Sequence, residues 1–140
     1  MHQFILSTHS HTRWLVLLAA IIAILVPFLN KSVNSKSKIP GLAFMILCDI
    51  QLLLGLTLYF IYSPMGIAAF ETGMANVMKT APLRKIAVEH FILMLLAITL
   101  VHIGYSKIKK ATEAAQLSKT SLIFFGIALV LILAGIPWVR

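Results

Sequence analysis

Four apolar runs, at about residues 11–29, 41–62, 83–105 and 120–138, dominate the chain and leave few folds open to it. Each is close to the roughly 20 residues that an α-helix needs to cross the hydrocarbon core of a bilayer. In hydrocarbon, backbone N–H and C=O groups must be satisfied internally, so runs of this length read as helices. Composition argues against a soluble alternative. Of 140 residues, 60% are hydrophobic and 11% charged, whereas a soluble domain carries about 25% charged residues. One buried core cannot hold that apolar excess, so lipid has to solvate much of it. The length suits a single domain, residues 1–140. The fold class expected is all-α: an integral membrane four-helix up-down bundle with short loops.

The connections refine this outline. The first run has no small-residue cleavage site after it and continues into Pro27-Phe28-Leu29-Asn30, so it is expected to be retained as a span. Residues 1–6 are partly apolar and are assigned to the membrane interface. Asn30 to Pro40 reads as a linker, with Pro40 in the first turn of the second helix. Ser63-Pro64 stops that helix. Residues 65–82 are only mildly polar and suggest a short amphipathic helix lying on the membrane.

The formal net charge is +8. The basic residues cluster beside apolar runs, where they meet anionic headgroups and set topology; nucleic acid is not expected as a partner. Lys31, Lys36, Lys38, Lys107, Lys109, Lys110 and Lys119 fall on one side, and Arg13, Lys79, Arg84, Lys85 and Arg140 on the other. Seven against five places both termini outside the cytoplasm, which in a bacterium means a multi-pass inner-membrane protein with periplasmic termini.

Ionisable groups inside spans are costly and mark candidate sites. Here they are Asp49, Glu89, His90 and His102, with His9, His11 and Arg13 at the mouth of the first run. On the topology above, His90 and the pair His9 and His11 enter from the same side. One imidazole from helix one could therefore approach another from helix three, as axial ligands of a b-type haem do. The alternative is that each histidine only hydrogen-bonds to a neighbouring helix or to headgroups. His102 follows His90 by 12 residues, about 18 Å along the axis and about 120° around it, so the two cannot share one haem. His102 instead shares its depth with Asp49. A hydrogen bond between them would form a second site, a proton path for a quinone, or a structural polar pair. Arg13 and Glu89 are expected either to pair across helices one and three or to leave Arg13 for a haem propionate.

No glycine-rich phosphate loop, CxxC or CxxCH occurs, and no catalytic residue is assigned. The single cysteine, Cys48, cannot form an internal disulfide and reads as a small packing residue. The scattered methionines also read as packing. The fourth run lacks an ionisable residue and is expected to be scaffold, with Gly126 and Gly135 allowing close helix approach.

Several segments together resemble a family. They are His9-Ser10-His11-Thr12-Arg13-Trp14, Asp49-Ile50-Gln51-Leu52-Leu53-Leu54-Gly55-Leu56, Gly73-Met74 with Val77-Met78-Lys79, Val88-Glu89-His90, and Ile136-Pro137-Trp138. In this order the chain resembles the small four-helix bacterial membrane proteins known as cytochrome b or cytochrome-b-like. That family carries a histidine four residues before the Arg-Trp pair, which favours His9 over His11 as the partner of His90. The resemblance implies haem b and electron transfer, with a quinone as one candidate partner. Three functions are therefore carried forward. The first is a small b-type haem protein with His9 and His90 as ligands, Arg13 near a propionate, and His102 with Asp49 as a second site or proton path. The second is a cofactor-free accessory subunit of a larger membrane complex, or a homo-oligomer, in which Glu89, Arg13, Asp49 and His102 are interhelical glue. The third is a protein handling copper or zinc through the outer histidines.

Overall fold

The structure is a computed structural model and describes residues 1–30 and 32–138. Lys31 and Arg140, which enter the charge count above, lie outside the described residues, as does Val139. The described chain contains helices and no strand. Four helices are long and apolar enough to cross a membrane. We label the helices α1 (His2–Leu29), α2 (Ser35–Thr57), α3 (Met74–Lys79), α4 (Ala81–Lys109) and α5 (Ala114–Gly135). A π turn, Leu58–Tyr62, prolongs α2, and a 3₁₀ turn, Ile67–Thr72, precedes α3. Two further π turns, Lys85–His90 and Ser121–Phe125, lie within α4 and α5.

Two helix starts differ from expectation. α1 begins at His2, so residues 2–6 belong to the helix and are not a separate interfacial segment. Nothing between His2 and Val26 breaks a helix, and the Thr8 and Thr12 hydroxyls donate back to Phe4 O and Thr8 O without interrupting it. α2 begins at Ser35, ahead of the Pro40 restart. Asn34 Oδ1 accepts from the Ser37 amide at 3.0 Å, and Ser37 Oγ accepts from the Asn34 amide at 3.0 Å. This reciprocal capping box satisfies two amides that a helix start otherwise leaves open, and Pro40 falls inside the helix. The connection after α2 carries two short helical turns where one amphipathic helix was expected.

Each long helix packs on the next, and α5 returns to α1. Thr12 of α1 meets Gln51 of α2, Tyr59 of α2 meets Ala87 of α4, and His90 of α4 meets Gly135 of α5. At the opposite end Lys38 Nζ donates to Lys109 O and Ala111 O at 2.9 and 3.0 Å, a cation on the exposed carbonyls of a helix C-terminus.

The core is dense at that second end. Phe44 and Phe125 are fully buried and meet edge to face, with centroids 5.2 Å apart. Ala20, Ala23, Ala97 and Ala128 are buried along the inner faces, where small side chains let helices approach and gain dispersion contacts. Cys48 is buried among them, as expected of a packing residue. Gly104 tests how tight this end is. A Cβ there would lie 2.6 Å from Phe124 Cβ and 3.2 Å from Phe125 Cε1. Because Phe124 Cβ is fixed to its backbone, α4 and α5 would have to separate. Gly104→Ala is therefore expected to destabilise the bundle: about 1–3 kcal/mol of overpacking outweighs the up to about 1 kcal/mol of helix propensity gained. Thermal unfolding in detergent would read this as a lower midpoint. An unchanged midpoint would refute the close packing. The outer faces are apolar, with Leu53 66% and Val130 64% exposed.

Candidate functional site

Toward the other end lies a cavity of about 700 Å³. Its walls are largely apolar, including Leu52, Leu56, Phe91, Met94, Ile98 and Ile132. Three histidines line it, His2 and His9 from α1 and His90 from α4. The His9 and His90 ring centroids are 6.2 Å apart and their planes are 85° to one another.

His9 is held by α2. Gln51 Nε2 donates to the His9 carbonyl at 2.7 Å, and Thr12 Oγ1 donates to Gln51 Oε1. One glutamine thus locks this turn of α1 against α2. Gly55 faces the imidazole: a Cβ there would lie 3.2 Å from His9 Cε1. His90 is held by α5, with Nδ1 2.9 Å from Gly135 O. A carbonyl only accepts, so the proton lies on Nδ1 and Nε2 is the basic nitrogen. His90 also closes the π turn Lys85–His90; such turns re-aim helix side chains and recur at functional sites. Tyr59 lines the cavity, stacks on Phe91 at 4.3 Å and donates its hydroxyl to Ala87 O at 2.8 Å.

Charge gathers along the same wall. Arg13, Arg84, Lys85 and Glu89 line the cavity, three cations to one carboxylate. The expected Arg13–Glu89 pair is not what forms. Glu89 binds Arg84 Nε at 3.2 Å and Lys85 Nζ at 3.6 Å. Both cations lie on its own helix four and five residues earlier, and the π turn brings both to its side, so no reach across the bundle is needed. Arg84 and Lys85 also donate to Met78 O and Ala134 O. Arg13 sits against two indoles, 5.1 Å from the Trp14 centroid and 5.5 Å from that of Trp138. Its Nε is buried and has no hydrogen-bond partner among the described residues. Cation–π contact fixes the guanidinium but leaves hydrogen-bonding capacity for an anion.

The remaining candidates lie elsewhere. His11 is exposed, its Nδ1 2.7 Å from Ser7 O, and it does not line the cavity. His102 Nε2 is 2.7 Å from Asp49 Oδ1, the partner expected from depth, but the pair lies on the outer surface, with side chains 46% and 43% exposed. Several contributors were missed from the sequence: His2, Gln51, Gly55, Gly135 and Trp138 all line the site or hold its residues. α5 is thus more than scaffold. No group of three or more His, Cys, Asp or Glu suited to a metal ion occurs among the described residues, so a metal at the cavity would have at most two such side chains as ligands.

Fold and site define an all-helical bundle with a largely apolar, histidine-lined cavity at one end. Compared with family models, curated proteins and solved structures, the chain matches none.

Proposed function

We propose that the chain is a multi-pass protein of the bacterial inner membrane, an up-down bundle that binds b-type haem between His9 and His90 and takes part in electron transfer. The observation that carries this reading is the pair of imidazoles, from different helices, facing one cavity at 6.2 Å. Imidazoles from two helices that face one cavity could hold the iron of a haem. A volume of about 700 Å³ lies within the usual range for small-molecule and cofactor sites. The Nδ1–Gly135 hydrogen bond is the kind of outer contact that orients a ligating histidine and raises its basicity. The cationic wall suits propionates, with Arg13 offering an Nε that has no hydrogen-bond partner among the described residues. Haem would supply one-electron redox chemistry. The chain's own residues would hold its plane, exclude water through the apolar walls and fix the carboxylates. The apolar outer faces support membrane insertion. The charge count supports periplasmic termini, which puts the site in the outer half of the bilayer. A quinone is one candidate electron partner.

The test is an optical spectrum of the detergent-purified protein, oxidised and then dithionite-reduced. A Soret band that shifts, with sharp α and β bands on reduction, is expected. A colourless protein from haem-replete cells, with no haem in a pyridine extract, would overturn this reading in favour of a cofactor-free accessory subunit.

A further inference from the structure

The Asp49–His102 pair belongs neither to the cavity nor to the core. Asp49 lies roughly four turns from Ser35 and about as far from Tyr62, so it sits at mid-depth of its helix. Both side chains are more than two-fifths exposed, on a surface that also exposes Ile46, Ile50, Leu53 and Ile103. Ionisable groups within a bilayer almost always face protein or water, because hydrocarbon solvates them poorly. This face therefore needs a cover.

The donor and acceptor count says which. Hydrocarbon favours a net-neutral pair, which carries two protons, one in the bond between Nε2 and Oδ1 and one on Nδ1. Nδ1–H and Oδ2 remain, and no hydrogen bond from a described residue reaches either. One spare donor beside one spare acceptor makes a self-complementary surface. A two-fold axis carries each spare donor onto the other copy's spare acceptor, the isologous arrangement of a symmetric dimer. We propose that this face of α2 and α4 pairs with a second copy of the chain within the bilayer. Each Asp49 carboxyl group then bridges the His102 rings of both copies, giving a closed ring of four hydrogen bonds. Neighbouring exposed positions suit this contact: Ile46 and Leu53 about one turn either side of Asp49, Thr99 and Ser106 about one turn either side of His102. Small and hydroxyl-bearing side chains are common at helix–helix contacts in membranes. The proposal rests on the membrane reading of the fold and is independent of haem.

The experiment is single-molecule photobleaching of the labelled full-length chain in lipid vesicles, over a series of lipid dilutions. Co-flotation with the vesicles separately reports insertion, so a failure of the membrane reading is distinguishable. The wild type should be dimeric. Asp49→Ala and His102→Ala should each raise the dimer dissociation constant tenfold or more. Mixed together, the two variants should form a heterodimer tighter than either homodimer, because His102 of one chain still meets Asp49 of the other. A purely intramolecular role predicts no such recovery, since both variants lack the bond. In the wild-type background, Leu53→Cys should crosslink between copies and Val130→Cys, on α5, should not. An inserted but monomeric wild type, variants that dimerise like wild type, absence of recovery in the mixture, or crosslinking only at Val130→Cys would each overturn the proposal. A monomer would point to a lipid-soluble ligand or another subunit on this face.

Discussion

Purified His90→Ala protein is expected to be colourless, or to carry only a small fraction of the wild-type Soret absorbance, while remaining inserted and folded. The ring of His90 is one of the two imidazoles that meet at the cavity, and its basic nitrogen is set by the bond from Nδ1 to Gly135 O. Alanine removes that nitrogen and leaves a larger void beside Met94 and Phe91. The fold should survive. The dense core around Phe44, Phe125, Ala97 and Ala128 lies elsewhere in the bundle, and α4 remains tied by Tyr59 to Ala87 and by Lys38 to Lys109. His11→Ala is the control, because His11 bonds Ser7 and does not line the cavity. It should keep the full pigment. The readouts are the Soret absorbance per mole of protein and the thermal midpoint. Undiminished pigment in both His90→Ala and His9→Ala would refute the assignment.

What was legible in the sequence divides along a physical line. Depth was legible. A rise of 1.5 Å per residue turns position in an apolar run into height in the bundle, and it correctly paired Asp49 with His102. The same count put His9 and His90 at one end, where their rings meet at 6.2 Å. Rotation about the helix axis was not legible. Glu89 was assigned to Arg13 on height alone, yet a π turn at Lys85–His90 turns it toward Arg84 and Lys85. An i→i+5 turn leaves no mark on hydropathy. That the Asp49–His102 pair looks outward is likewise a matter of rotation.

Backbone partners were also hidden. Gly135 serves His90 through its carbonyl, a group every residue has, so the fourth run looked inert. Gln51 works through a carbonyl of α1, and Trp138 through the face of its ring. The start of α2 was readable in principle, since Asn34 and Ser37 have capping-box spacing. The proline at 40 drew the boundary later, because proline inside a helix is uncommon.

If haem is held by His9 and His90 as proposed, Gly55→Leu should convert it from six-coordinate and low-spin to five-coordinate without removing any ligating atom, or abolish binding altogether. Alanine at this position is the milder case. Its Cβ would sit 3.2 Å from His9 Cε1, a contact relieved by a shift of a few tenths of an ångström, so Gly55→Ala should retain most of the pigment. Leucine adds an isobutyl group where the imidazole already stands. The ring cannot retreat toward α2, because α2 is the obstruction. Nor can its helix easily back away, because Gln51, one turn before Gly55, grips the His9 carbonyl and the Thr12 hydroxyl. Displacing the ring out of the site is the remaining response. Spin state from the optical spectrum and from electron paramagnetic resonance distinguishes the cases. His9→Ala provides the reference spectrum, and Gly55→Leu should resemble it. Low-spin haem at wild-type occupancy in Gly55→Leu would mean that His9 is not a ligand. Loss of low-spin character in Gly55→Leu but not in Gly55→Ala would mean that the small residue at 55 is there to admit the imidazole, giving α2 a part in the site although it supplies no ligand.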